Sequence, residues 1–397
     1  MPHVLVKNFT PPTLPITKDE ITFVSMSTLY KKVGLIEVEI DLHRFYLRYY
    51  ERPNGILIKY DKATRIAELN PLKKAINSFA ELCKAEIIES NTTINKPDRV
   101  YAHHKKLAYF LNDFHQELKP NQKVWIEVGF GSGIHLVHNA KNNPDVMHVG
   151  IEIHKPSAEQ LLKQCHLEQI NNILVIDTDA RTFLEVLPSN SVQKVFVHFP
   201  VPWDKAEHRR VISKRFVNET SRILEEKGVL NLRTDSENYA YYSRDVLMSD
   251  KIVDLYITKN IDIAVKSKYE TRWQKMDKNI YDFTLTNHES HEDKRFDYNF
   301  SFNRPILFQH FLDSLKETTF VEEDYLLHIQ ERFPYENGAG IIKLTMGVKG
   351  APHSLYIVFD SEGAIRYFPH HPLPISANIA AHEHLLKVLS NATNHTS

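Results

Sequence analysis

The chain has 397 residues, 42% hydrophobic and 25% charged, a globular composition with apolar material for two or three cores. A formal net charge of -1 excludes a chain that is cationic throughout, so any face for nucleic acid has to be local. The only cysteines, Cys83 and Cys165, exclude a disulfide framework and a cysteine zinc site, and no run of about 18 apolar residues offers a membrane-spanning helix.

The opening "MPHVLVKNFTPPTLP" lacks a basic stretch followed by a long apolar one, so a soluble chain in a reducing cytoplasm is expected. Residues 1–98 then read as a β-rich segment. "LIEVEIDL" alternates apolar and polar, "RFYLRYY" follows, and "RPNG" before "ILIKY" signals a turn between two strands. A helix is expected near 71–86.

From 99 to 287 the pattern changes. Short apolar runs, "VWIEVGF", "HVGIEIH", "ILVID", "VQKVFVHF" and "GVLNLRT", are separated by segments long enough for crossover helices. That alternation predicts an α/β domain with a parallel sheet and helices on both faces. The charged "HESHEDKRFD" marks the exit from it, and 288–397 reads as an α+β segment with strands at "GIIKLTMGV", "SLYIVFD" and "AIRYF" and a helix near 376–390.

The first α/β strand runs into "IEVGFGSG". Gly129 and Gly131 let the backbone turn tightly and approach a ligand with no Cβ in the way. The spacing is Gly-x-Gly-x-Gly through Gly133, not the Gly-x-Gly-x-x-Gly that accommodates a pyrophosphate, and Glu127 stands two residues ahead of the first glycine. A carboxylate there repels a diphosphate and suits a cationic ligand. The second strand ends at Glu152, roughly 20 residues on, where an acid can accept both hydroxyls of a ribose. The third runs into Asp177 and Asp179, either of which can accept from an adenine amino group. Three successive strands thus carry acid at the edge where open α/β sheets bind ligands.

The fourth run ends in "FPVPWDKAEHRR". Its prolines fix φ and bias their predecessors toward extended backbone, which stiffens the chain there. Trp203 can pack as core or offer a face to a nucleobase. Residues 203–215 hold Lys205, Arg209, Arg210, Lys214 and Arg215 against Asp204 and Glu207, a cationic run suited to phosphates. His103, His104, Lys105 and Lys106 are candidates to extend that face.

The glycine turn with its strand-end acids resembles class I methyltransferases that bind S-adenosylmethionine, which implies a Rossmann-like sheet of seven strands. With "GIEIHKP", "FPVPWDKAEHRR", "LRTDSENY" and "SKYETRW" in that order, residues 120–285 resemble the bacterial tRNA (guanine-N7-)-methyltransferases, here as a variant extended at both ends. The resemblance implies methyl transfer from S-adenosylmethionine to N7 of the variable-loop guanine of tRNA. It implies cofactor contacts at Glu127, Gly129, Gly131, Glu152 and Asp179, and substrate contacts at Lys205, Asp235, Lys268 and Glu270. Ser267, Lys268, Tyr269 and Glu270 lie where the family closes a Thr-Lys-Phe-Glu element over the guanine, with Arg272 just beyond.

Val201 departs from the pattern, because the family has an aspartate between those prolines. Guanine N7 carries an in-plane lone pair and no proton, so its attack on a sulfonium methyl needs alignment rather than a general base. Asp235 and Glu270 are therefore expected to carry catalysis, stabilising the charge that develops on the purine. Other readings keep the fold with another RNA base or a protein as acceptor, or make the chain a tRNA-binding module without catalysis. A nicotinamide-dependent oxidoreductase is disfavoured by the glycine spacing and Glu127. No metal is expected: "HESH" is one residue short of the zinc-protease spacing, and His370, His371, His382 and His384 have no paired acid or cysteine nearby.

Overall fold

The computed structural model describes residues 2–40, 43–64, 66, 69–94, 122–249, 252–263, 278–293, 298–314 and 317–394. The chain forms two compact units, one from Met1–Arg99 together with Tyr298–Ser397, the other from Val100–Asp297.

In the first unit, strands β1 (His3–Lys7), β2 (Ile16–Lys18), β3 (Ile21–Met26), β4 (Val33–Ile40), β5 (His43–Arg52) and β6 (Gly55–Tyr60) precede helix α1 (Leu69–Leu82) and strand β7 (Glu86–Ser90). They form an antiparallel sheet in the order β2-β3-β4-β5-β6-β1-β7. The "RPNG" signal is the hairpin between β5 and β6, where Arg52 faces Gly55. Helix α1 buries Leu72, Ala75, Ile76, Phe79 and Ala80, the i, i+3, i+4, i+7, i+8 stripe of an amphipathic helix, against Phe23, Phe45 and Leu47.

The second unit holds β8 (Lys123–Val128), α2 (Ile134–Asn142), β9 (Val146–Ile151), α3 (Lys155–Leu167), β10 (Ile173–Ile176), α4 (Ala180–Val186), β11 (Val192–His198), α5 (Lys214–Ile223), β12 (Leu224–Thr234), α6 (Glu237–Leu247), β13 (Val253–Lys259) and β14 (Tyr281–Asn287). Its seven strands run β10-β9-β8-β11-β12-β14-β13. The first five are parallel, as the buried apolar runs predict, whereas β14 lies antiparallel between β12 and β13. Strand β8 is flanked by β9 and β11, so successive connections leave it in opposite directions. This is the topological switch point at which open α/β sheets bind ligands. The stretch after β14 stays with this unit: His288 pairs with Asp254 at 2.9 Å and the Asn190 amide donates to the His291 carbonyl at 2.6 Å.

The chain then returns to the first unit with α7 (Gln309–Ser314), a meander of β15 (Thr318–Val321), β16 (Tyr325–Pro334), β17 (Gly340–Val348), β18 (His353–Phe359) and β19 (Ile365–Phe368), and α8 (Ser376–Asn394). Helix α8 sets Ala381, Leu385 and Leu389, four residues apart, into a core with Leu327, Leu344 and Ile357. The two terminal sheets share a third cluster: Leu35 and Tyr46 from the first are buried with Phe333, Ile341, Tyr356 and Phe368 from the second. Tyr46 lies 4.4 Å from Phe368 and meets Tyr356 edge-on at 5.2 Å. Beside them the buried Arg48 bonds Glu331 and stands 3.6 Å from Asp61.

Candidate functional site

The carboxyl ends of the five parallel strands line up along one edge of the α/β sheet. Backbone bonds carry the ladder past the strands: Gly129 N–H donates to Ile151 O at 2.7 Å, Glu152 N–H to Ile176 O at 3.0 Å and Phe199 N–H to Arg233 O at 2.7 Å. In strand order the edge presents Asp177 and Asp179, then Glu152, then Glu127 with the glycine turn, then the double-proline loop, then Asp235.

The glycine turn is left-handed at Gly129 (φ +69) and Gly131 (φ +54), backbone that a side chain strains to adopt. A Cβ at Gly129 would meet no atom within 4 Å, and one at Gly131 only the Gly129 carbonyl at 4.0 Å, so both peptides face open space that a ligand can enter. Glu152 accepts from Gly131 N–H at 3.0 Å and His154 N–H at 2.9 Å, one bond on each carboxylate oxygen. Each oxygen retains an acceptor site, enough for a ribose diol. Glu127 is 4% exposed, and its carboxylate accepts from His135 Nδ1 at 2.7 Å. Open glycine peptides between two acids suit a donor that is cationic at one end and a nucleoside at the other. The residues present therefore fit S-adenosylmethionine.

Asp179 has a structural task as well. It caps α4, accepting from Arg181 N–H at 2.9 Å, and holds the Arg181 guanidinium on both oxygens, at 3.0 and 2.7 Å. Any adenine contact has to share the carboxylate with Arg181.

The double-proline loop is strained at both ends, with Phe199 at φ +52 and Trp203 at φ +46. Val201 between them is 59% exposed. Main-chain bonds hold the loop, from Phe199 N–H to β12, from Ala206 N–H to Trp203 O at 2.8 Å, and from Arg210 Nε to Pro202 O at 2.8 Å. Arg210 is 3% exposed; its guanidinium lies 4.4 Å over the Tyr242 ring and 2.9 Å from Glu207. Arg215 is bonded to the buried Glu185. Arg210 and Arg215, both read as phosphate ligands, are thus engaged within the unit. Lys205 and Arg209 are exposed, Arg209 stacked 5.0 Å from Trp203.

Asp235, at the end of β12, pairs with Lys278 Nζ at 2.7 Å. Lys268 and Glu270, with Ser267, Tyr269 and Arg272, lie outside the described residues, as do His103, His104, Lys105 and Lys106. Among the described residues no group of three or more metal-ligating side chains occurs, and no helix is long and apolar enough to cross a membrane.

Two neighbours of the candidate site, His135 and Arg181, have no place in the sequence-based expectations, and Arg210 stands there only as a phosphate ligand rather than as the side chain that holds the loop. A capping signal, Asp179 directly before a helix, was available for Arg181. The other two depend on contacts with residues remote in sequence.

A family model described as "Putative methyltransferase" matches residues 121–283. A tRNA (guanine-N(7)-)-methyltransferase of Wolinella succinogenes is 37% identical over 398 residues, covering 98% of this chain and 100% of that one. One of Helicobacter hepaticus is 35% identical over 406 residues, with 98% and 100% covered. Among solved structures, the 16S rRNA methyltransferase KamB is similar at 13% identity and a TM-score of 0.37, over 46% of this chain and 95% of that one.

Proposed function

The chain belongs to the tRNA (guanine-N(7)-)-methyltransferase family, and from that premise we propose that it methylates N7 of guanine in tRNA, at the variable loop, with S-adenosylmethionine as donor and in the cytoplasm. The observation that carries the reading is similarity to a protein of that name over 98% of the chain, so the terminal segments as well as the α/β domain have counterparts there.

The donor supplies an electrophilic methyl group. In the proposed arrangement Glu127 and Glu152 hold its cationic and ribose ends against the peptides of Gly129 and Gly131, with Asp179 toward the adenine. Lys205 and Arg209 take phosphates at the mouth of the site, and Trp203 offers an exposed ring beside them. Asp235 and Glu270 accept from guanine N1–H and N2–H. As N7 gains the methyl group the purine becomes cationic, and a fixed carboxylate at its edge lowers the energy of that charge. No proton leaves N7, so no residue has to act as a base, and Val201 in place of the family's aspartate leaves the route open. The β-rich unit formed by the two chain ends is proposed to enlarge the grip on tRNA.

Incubation of the protein with tRNA and methyl-labelled S-adenosylmethionine, followed by mass spectrometry of the nucleosides, tests this. Label in 7-methylguanosine is expected. Label in another nucleoside, in the protein, or in neither despite bound tRNA would replace the proposal with one of its rivals.

A further inference from the structure

The buried carboxylate Glu127 has the His135 ring within hydrogen-bond distance, and we infer that this histidine is a positioning residue that presents Glu127 to the cationic methyl donor. The inference rests on the donor reading of the site proposed above.

His135 is the second residue of α2. The helix starts at Gly133, whose φ of +72 and the approach of Leu161 Cδ1, 2.7 Å from where a Cβ would lie, favour glycine. That start brings the imidazole against the end of β8, with Nδ1 2.7 Å from Glu127 Oε2. A carboxylate only accepts, so Nδ1 carries the hydrogen. One turn further along the helix, the Asn139 amide nitrogen lies 3.1 Å from Nε2 and 3.4 Å from Nδ1, a second polar contact that holds the ring in place.

The ring is also fixed from below. It meets Phe196 edge-on at 4.9 Å and His198 at 4.5 Å. His198 is held in turn, its Nε2 2.7 Å from Asn231 Oδ1, while the Asn231 amide donates to Asp282 at 2.9 Å and to the Phe283 carbonyl at 3.2 Å. Those two acceptors fix the Asn231 orientation, so His198 is the donor in its bond. Burial pushes His198 down to about 3, so this ring is neutral.

A ring N–H bonded to one carboxylate oxygen fixes which way the acid faces, where a lysine or arginine would place a permanent positive charge against a sulfonium and an amino group. Position 135 is therefore specific for a side chain with a donor at the Nδ1 point. Asparagine places its amide there, glutamine places it near Nε2, and leucine has none.

Titration calorimetry with S-adenosylmethionine on the full-length protein, with thermal melts alongside, reads this directly. H135L and H135Q are expected to weaken donor binding about tenfold or more, and H135N to stay within about threefold of wild type. Turnover at saturating donor should change less than KM for the donor. A long-range 1H–15N spectrum should show a histidine signal protonated at Nδ1 that disappears in H135N. Should H135L bind the donor as wild type does, or H135N be as weak as H135L at equal melting temperature, His135 is only a packing residue and the inference falls. Should H135L not fold, the contrast of H135N with H135Q decides alone. Failure of the wild type to bind the donor would instead remove the reading of the site itself.

Discussion

Replacing Arg210 with methionine should uncouple the double-proline loop from α6 while leaving the fold intact. The side chain donates to Pro202 O at 2.8 Å from a charged nitrogen in a buried setting, a bond of about 1.5–3 kcal/mol. Its stack on Tyr242 at 4.4 Å adds about 1 kcal/mol. The pair with Glu207 at 2.9 Å and the approach to Asp204 at 3.7 Å involve carboxylates 65% and 55% exposed, so solvent screening leaves each at roughly 0–1 kcal/mol. Methionine keeps much of the packed stem, so the net loss is on the order of 3 kcal/mol, concentrated in a loop already strained by left-handed Phe199 and Trp203. Up to about a hundredfold of the loop's closed population follows from that figure. The expected result is a kcat/KM for tRNA methylation lowered about ten- to a hundredfold, with donor affinity and melting temperature little changed. R210K, which keeps the charge but not the planar fork, should recover part of the loss. Activity within about threefold of wild type in R210M, at unchanged melting temperature, would refute the view that this arginine holds the loop in its working shape.

Asp235→Ala should cut turnover at saturating tRNA more than about tenfold with little change in stability, since its partner Lys278 is 43% exposed and returns to water; near-normal turnover rejects the role given to Asp235. Val201→Asp, at a position 59% exposed in a loop held through its main chain, should leave the melting temperature unchanged and turnover within about tenfold in either direction, checked by the same assay. His148 and His382 are 1% and 0% exposed, and burial lowers both to about 4. The folded value lies below the ordinary 6.5, so the unfolded chain takes up protons first. Stability is then complete above about pH 6.5 and falls toward pH 4 by up to about 1.4 kcal/mol per pH unit for each ring. Urea unfolding at pH 7.5 and pH 5 should show the loss, and H148F should reduce it for the α/β unit, where the buried His198 continues to contribute. Deleting 298–397 strips Leu35 and Tyr46, both fully buried, of their cover, so the remaining N-terminal sheet should melt earlier or aggregate; a differential scan of the truncated chain checks this.

The α/β core was legible because parallel strands buried on both faces read as unbroken apolar runs, and the glycine turn and Glu152 were legible because their spacing follows from one βαβ unit. The antiparallel β13 was not: Tyr256 and Ile257 are exposed, so its pattern carries little burial signal. The helix expected near 71–86 stops at Leu82, because Lys84 turns left-handed at φ +51 and Glu86–Ser90 pairs with β1 instead. A long-range strand pairing of that kind has no local signature. Charge counting likewise said that Arg210 and Arg215 are cationic but not that Tyr242, Glu207 and Glu185 would enclose them. The shared core of the chain ends was the least readable feature, since Arg48 and Glu331 are 283 positions apart.

Strand order also explains why position 201 tolerates an apolar side chain. Glu127 lies in β8, the glycines follow β8 and Glu152 follows β9, whereas the double-proline loop and Asp235 follow β11 and β12 on the other side of the switch point. The loop's shape depends on Phe199 N–H, Pro202 O and Trp203 O, three main-chain groups that any residue at 201 leaves in place. In the proposed reaction an acceptor nitrogen that arrives without a proton needs only alignment from this loop, and the main-chain bonds to Arg210 and β12 give the loop a fixed shape. A family aspartate at 201 therefore adds an interaction to a geometry that stands without it, which is how the position can change while the reaction is kept.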